Sequence, residues 1–239
     1  MISYKVKADK LRYSRQIALP EIGKEGQLKI LNSKVLVIGC GALGSMVAMQ
    51  IAGAGVGTIG IADYDTVDLS NLQRQFFYTT SEAGISKAGL LRQKINNLNP
   101  GVKVILYNKI ITSRIGAEMF PEFDFIVDAT DNPESKRMIG EMAASCRKPC
   151  CIGGVKGFEG QVMTFMPDDP RFEDFFGEAD GEGFLPCSIG GVFGPAAALC
   201  ASIQASEVIK CIIEKGEILS GKIFMFNLLD NTFRLFRIN

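Results

Sequence analysis

The sequence predicts a doubly wound, mostly parallel α/β sheet with flanking helices, and three observations carry that prediction. Residues 35–38 form a short apolar, β-branched run of the kind buried in parallel sheets. Gly39, Gly41 and Gly44 follow at once in the G-x-G-x-x-G spacing and open a helical segment over 45–54. A second apolar run over 58–62 closes on Asp63, 19 residues after Gly44. The order is strand, glycine turn, helix, strand, acid. Such glycines permit a tight turn and close backbone approach to a phosphate. The helix N-terminus offers unpaired N–H groups, and an acid at that distance can hydrogen-bond a ribose hydroxyl. This is a nucleotide-binding pattern on a Rossmann-like fold; the alternative is a plain tight strand-to-helix turn.

Ahead of this unit, residues 9–31 read as two helical pieces, with Asp9 as a cap and Pro20 and Gly23 marking the break. Arg12 and Arg15 share one face at i, i+3 and, on their own, read as solvated charges. After Asp63 the chain does not enter a helix. It reads DYDTVDLSNLQRQ, gathering Asp63, Asp65, Asp68, Asn71, Arg74 and Gln75 at the strand's carboxyl end, where open α/β sheets bind ligands. Arg74 can neutralise phosphate with a fixed fork of donors, and Asn71 can donate to a phosphate oxygen; a solvated polar loop is the alternative. The spacing predicts a helix over 86–99, with Leu90, Leu91, Ile95 and Leu98 on its buried side and Pro100-Gly101 as its stop. Lys87 lies in its first turn, where a cation opposes the dipole at a cost of roughly a few tenths of a kcal/mol. Phosphate contact is one reason for that placement, and an incidental surface lysine is the other.

Residues 103–107 and 123–127 are the third and fourth strands. The fourth runs into DATDN, in which Asn132 is a natural N-cap with Pro133 at the first helical position. Asp128 and Asp131 lie at the same sheet edge as the glycine turn. A carboxylate there repels a bare pyrophosphate but can hold Mg²⁺ against a triphosphate, which favours ATP over a nicotinamide dinucleotide. Residues 149–153 give a fifth strand. From 168 to 191 the pattern vanishes into a stretch with seven acids and five glycines. A loop of that length is usually functional or disordered. A long helix follows over 194–215, with Pro195 at its start, and KIFMFN and TFRLFRI around LLDN form a closing hairpin.

The 239 residues are 47% hydrophobic, enough for a sizeable core, and show no internal repeat or linker. They read as one domain over 1–239, with a nucleotide-binding half to about 153 and a substrate-facing half over 154–239. Lys and Arg total 26 against 26 Asp and Glu, so no basic footprint argues for nucleic acid or an anionic membrane. No apolar run reaches the roughly 18–20 residues of a membrane span, and MISYKVKADKLRYSRQ does not read as a secretory signal. The expectation is a cytoplasmic protein. Seven cysteines, at 40, 146, 150, 151, 187, 200 and 211, form an odd set without framework spacing and read as free thiols. Histidine is absent, which excludes Ser-His-Asp and Cys-His mechanisms, His-metal sites and a His general base.

RYSRQI at 12–17, GCGALGS at 39–45, DYDTVDLSNLQRQF at 63–76, ISKA at 85–88, DATDN at 128–132 and GFEGQV at 157–162 occur in order over nearly the whole chain. Together they resemble the ThiF/MoeB/HesA family of ubiquitin-activating-enzyme-like adenylyltransferases, above all the bacterial sulfur-carrier activators of molybdopterin and thiamine biosynthesis. The resemblance implies that the parallel sheet is extended by an antiparallel half-sheet whose first strand is GQVMTFM. It implies ATP and Mg²⁺ as cofactors, with Gly39, Gly41, Gly44, Asp65 and Gln75 around the nucleotide. Asp63 would hold the ribose, Asn71, Arg74 and Lys87 the phosphates, and Asp131 the Mg²⁺. Arg15 matches the second arginine of the family's R-Y-x-R motif, which reaches the partner subunit's ATP, so a homodimer is implied. Cys187 matches a cysteine that forms a thioester or persulfide link in some relatives and is dispensable in others; both readings stand. Many bacterial relatives carry zinc on two C-x-x-C pairs, but no C-x-x-C occurs here and no structural zinc is expected.

The implied reaction is adenylation of a carboxylate. The attacking group is already an anion, so the lack of histidine fits. The implied substrate is the C-terminal Gly-Gly of a ubiquitin-like sulfur-carrier protein. A small-molecule carboxylate in cofactor biosynthesis, as in the iron-guanylylpyridinol pathway, is the alternative. Two readings come from other classes. An NAD(P) dehydrogenase is disfavoured by the Arg/Asn/Lys/Asp cluster, and a non-catalytic dimerisation scaffold by the presence of all the expected ATP residues.

Overall fold

The computed structural model describes residues 11–169 and 191–237. Eight strands form one sheet in the order β3-β2-β1-β4-β5-β6-β7-β8. They are β1 (Lys34–Ile38), β2 (Thr58–Ala62), β3 (Lys103–Tyr107), β4 (Phe125–Asp128), β5 (Cys150–Lys156), β6 (Glu159–Phe165), β7 (Lys222–Asn227) and β8 (Thr232–Arg237). Pairing is parallel from β3 through to β5 and antiparallel from β5 to β8. The helices are α1 (Ser14–Ile17), α2 (Gly23–Asn32), α3 (Ala42–Ala54), α4 (Lys87–Leu98), α5 (Ser113–Met119), α6 (Pro133–Ser145) and α7 (Gly194–Ile213). The predicted parallel sheet with an antiparallel extension is thus present.

Strand periodicity divides the core between the two faces. Val35, Val37, Ile59, Ile61, Phe125, Val127, Cys151 and Val155 enter the cluster shared with α3, α4 and α7. Their alternates Leu36, Ile38, Ile126, Cys150 and Ile152 enter the cluster shared with α5 and α6. Strands covered on both sides lack polar alternation, which is why they read as continuous apolar runs. On the second face, the ring of Phe123 fills the space left by Gly60: a Cβ there would lie 2.4 Å from its Cζ.

Several expectations shift. The fourth strand begins at Phe125 rather than 123, because residues 120–122 form a 3₁₀ turn and the Phe123 N–H donates to Phe120 O at 3.1 Å. Leu98 is exposed rather than buried, although its neighbours Ile95 and Asn99 are buried, and its carbonyl accepts from Arg12 at 2.7 Å. Helix α5 was not anticipated; seven residues capped by Thr112 carry too little pattern to register. Helix α7 is long and apolar enough to cross a membrane by length and composition, although no such run was counted in the sequence. Its apolar side packs on α3, β5 and β6, which accounts for that composition.

Two predictions follow from this packing. Phe123 is 1% exposed and meets the Tyr107 ring edge-on at 6.3 Å. Phe123→Ala is expected to cost about 3–5 kcal/mol, read as a lower urea midpoint at unchanged slope; a loss below about 1 kcal/mol contradicts this packing. The second concerns the core thiols. Burial pushes Cys150 and Cys151 well above the usual thiol range, and burial with the nearby Glu207 and Glu214 charges pushes Cys211 up to about 11. Alkylation of native protein at pH 8 should therefore spare all three, with Cys211 labelling rising toward pH 11. The unfolded chain sheds these protons from about pH 8.5 while the folded chain keeps them, so stability should fall as pH climbs above that value. Rapid native labelling of Cys150 or Cys151 at pH 8 would rule this out.

Candidate active site

The sheet order reverses between β1 and β4, and ligands bind at such a switch point, beyond the carboxyl ends of the strands. A cleft of about 270 Å³ opens there. The turn after β1 forms its floor. Gly39 adopts φ +92°, and a Cβ on it would lie 2.7 Å from Ala129 O. Gly44 sits beneath the turn, where a Cβ would stand 1.8 Å from Gly39 O. Any side chain at either position would force the turn, the β4 end and the start of α3 apart.

Two side chains clamp this turn. Asp63 Oδ2 accepts the Cys40 N–H, and its Oδ1 accepts the Asp65 N–H at 2.7 Å. The Tyr78 hydroxyl donates to Cys40 O at 2.8 Å from a position only 3% exposed. Burial raises the Asp63 carboxyl above the usual range, opposed by these two N–H bonds and by the charge of Lys87. Burial likewise drives the Tyr78 phenol far upward, so it stays a donor. A carboxylate has about four lone-pair sites, so Asp63 can hold the turn and still accept from a ribose. Tyr78 escaped the sequence reading; its signal was only a Tyr following two phenylalanines just past the polar loop.

Gly39, Gly41, Asp63, Asp65, Arg74, Gln75, Lys87 and Asp131 all line the cleft. Lys87, 5% exposed, directs Nζ to Asp65 Oδ2 at 3.2 Å, and Ser86 caps the helix that begins with it. Asp65 thus offsets the cation at a helix N-terminus that the sequence left unexplained. Arg74 donates to Ser70 O at 3.2 Å, and the rest of its fork has no protein partner among the described residues. Gln75 is buried beside Gly41, and its Oε1 is an unpaired buried acceptor. Asp131 is exposed in the cleft and makes no hydrogen bond or ion pair among the described residues. A single free carboxylate that faces phosphate-sized space is how Mg²⁺ is commonly held, with substrate oxygens and water completing its shell. Asp131 fits that role.

Other expected residues stand apart from the cleft. Gly44 shapes it from below without lining it. Asn71 lies in the 3₁₀ turn Leu69–Asn71, with its amide 3.4 Å from Ser70 Oγ, and does not line it. Arg15 is exposed on α1, away from the cleft. Cys187 lies outside the described residues. Asp128 corrects an expectation. Its carboxylate is fully buried and turned inward, accepting from Thr130 and from Lys136 Nζ at 2.8 Å, so it is not open to a metal. Lys136 was missed too. Its signal was a lysine in register with Ile139, Gly140 and Ala143 on the apolar stripe of α6. Among the described residues, no group of three or more acids or cysteines is placed to hold a metal by itself.

Known proteins resemble this chain over most of its length. A model of the ThiF family matches residues 13–239. The adenylyltransferase and sulfurtransferase MOCS3 of Dictyostelium discoideum is 38% identical over 230 residues, covering 95% of this chain and 54% of that protein. The sulfur carrier protein adenylyltransferase of Thermus thermophilus is 34% identical over 230 residues, covering 93% and 85% respectively. The crystal structure of PaaA superposes with a TM-score of 0.82 at 26% identity, covering 97% of this chain and 74% of PaaA. Against the first curated relatives, the chain spans only 54–60% of their length. With its switch-point cleft, glycine turn and matched length, the chain belongs to the ThiF family.

Proposed function

We propose that this protein is an ATP-dependent adenylyltransferase that activates a carboxylate. The observation that carries the reading is the convergence of Arg74, Lys87 and Asp131 on one cleft with the glycine turn and the N-terminus of α3. A carboxylate oxygen attacks the α-phosphorus of ATP. The bond to the bridging oxygen of the β-phosphate breaks, leaving an acyl adenylate and pyrophosphate. No proton need be moved from the attacking group. The work left to the protein is positioning and neutralising negative charge.

In this reading Asp63 accepts from the ribose while it holds the turn. Arg74 and Lys87 neutralise the phosphates, Lys87 leaving Asp65 to do so, and Asn71 joins them once the loop closes on the nucleotide. Gly39, Gly41 and Gln75 border the phosphate path, with Gly44 holding the turn from beneath. Asp131 would hold Mg²⁺, which supplies charge neutralisation at the phosphates. Arg15 is assigned to the partner's site in a homodimer; its exposed position outside its own cleft supports this. Cys187 is left as a candidate for later acyl transfer.

The proposed carboxylate is the C-terminal Gly-Gly of a ubiquitin-like sulfur carrier. The Thermus relative, named for that activity and 85% covered, supports it over a small-molecule acid. Membership of an adenylyltransferase family speaks against the NAD(P) dehydrogenase, and the filled cleft residues against the scaffold. A cytoplasmic setting is supported by Cys40, Cys146, Cys150, Cys151 and Cys211, which form no disulfide among the described residues.

The test is ATP–pyrophosphate exchange with Mg²⁺, run against a Gly-Gly-ending carrier and separately against small aromatic carboxylates. Exchange with the carrier is expected. Arg74→Ala and Asp131→Ala should each lower kcat/KM for exchange by about 100-fold or more. Unchanged turnover in both variants would dismantle the site assignment, and no ATP binding by the unaltered protein would overturn the enzyme reading.

A further inference from the structure

Beneath the cleft lies a buried ion pair that the reaction above does not use. Lys136 is 3% exposed and Asp128 0%. Lys136 Nζ donates to Asp128 Oδ2 at 2.8 Å and to Gly153 O on β5 at 2.6 Å. The other carboxylate oxygen of Asp128 accepts the Thr130 N–H at 3.1 Å and the Thr130 hydroxyl at 2.6 Å. The end of β4, the first turn of α6 and the middle of β5 are tied together by one ammonium group.

Between the two partners runs the turn that borders the cleft, with Ala129, Thr130, Asp131 and Asn132 among its lining residues. A charge-assisted bond therefore closes this loop at both ends. The loop also rests on the glycine turn through the Gly39–Ala129 contact. Stability alone is a poor reason for such a pair. Well-packed apolar residues in place of a buried ion pair are often neutral or stabilising, whereas an excellent geometry fixes one arrangement.

We infer that Lys136 is a positioning residue for the metal-linked nucleotide: through Asp128 it fixes the Thr130–Asp131 turn, so that the Asp131 carboxylate stands at a set height over the glycine turn. The inference rests on reading the cleft as a Mg²⁺–ATP site. Lys136 acts through other groups and touches neither nucleotide nor metal. Groups at this remove from a metal typically change its affinity by about 10–100-fold when removed.

Lys136→Met on its own leaves an unpaired buried carboxylate and can fail to fold. The working variant is therefore the double substitution Asp128→Asn/Lys136→Met, which removes both charges together, beside Lys136→Arg, which keeps the pair. Hydrogen exchange and ATP titration calorimetry, in excess Mg²⁺ and in EDTA, are applied to all three proteins. The double variant should fold, exchange the Thr130 amide at least about tenfold faster, and bind ATP about tenfold more weakly in Mg²⁺ but equally in EDTA. Lys136→Arg should restore the unaltered protein's values. A folded double variant with unaltered exchange at 129–132 and the same gain in ATP affinity from Mg²⁺ overturns the inference, and equal weakening in Mg²⁺ and EDTA overturns its link to the metal. If the unaltered protein binds no ATP, the adenylyltransferase reading fails separately. Thr130 exchange then decides the positioning claim by itself: faster exchange supports it and unchanged exchange overturns it.

Discussion

The structure depends on one close backbone approach, that of the turn after β1 to its own helix and to the end of β4. A Cβ on Gly44 would stand 1.8 Å from Gly39 O, and one on Gly39 would stand 2.7 Å from Ala129 O. These distances are possible only because both residues lack side chains. They bring the N-terminus of α3 and the DATDN turn to the same switch point. The unpaired N–H groups of the helix and the carboxylate of Asp131 then border one space. Asp63 and Tyr78 hold the geometry from either side by taking up the N–H and the C=O of Cys40. A turn so fixed does not need a bound ligand to organise it.

Charge in the cleft is arranged in two ways. Lys87 is buried and paired with the half-exposed Asp65, so its cation is partly neutralised before anything binds. Among the described residues, Arg74 is held by a single carbonyl and keeps most of its donors unused. An incoming polyanion meets Arg74 at once but must compete with a carboxylate for Lys87. Asp131 stands opposite with no protein partner described, a group that a polyanion repels unless a cation lies between. On the proposed reading, this charge pattern suits an anion that brings its own cation.

What was legible in the sequence was local. The glycine spacing, the acid after β2, the polar run to Gln75, the helix start at Lys87 and the Asn132–Pro133 start of α6 all report short-range backbone geometry, which neighbouring residues dictate. The parallel strands were legible because burial on both faces removes polar alternation. What the sequence does not show is of tertiary origin. Asp128 and Asp131 look equivalent in DATDN, and only the lysine reaching across from α6 turns one inward and leaves the other free. Leu98 has the helical phase of a buried residue, yet it is exposed while Ile95 of the same turn is fully buried. Asn71 has the right chemistry, yet the 3₁₀ turn keeps it off the cleft wall. Arg15 cannot be assigned from one chain, because its own cleft does not contain it.

Strand β5 is where the nucleotide cleft meets the rest of the molecule. It pairs parallel with β4 on one side and antiparallel with β6 on the other, and its Gly153 and Gly154 line the cleft. Gly153 is hemmed in from two directions. Its carbonyl takes a bond from Lys136, and a Cβ on it would lie 2.6 Å from the Gln204 amide of α7. Gln204 in turn donates to Asp128 O at 2.9 Å, while its own Oε1 is left buried and unpaired. An unpaired buried acceptor costs about 1–3 kcal/mol, a penalty that packing alone would not retain when an apolar residue of similar size could sit there. The bond to Asp128 is the compensation: it anchors the far end of β4 to the long helix that spans β5 and β6. The carboxylate of Asp128 is steadied by Lys136 and its carbonyl by Gln204. Any displacement of α7, the first described element after the acidic stretch, must therefore be felt at the turn that carries Asp131.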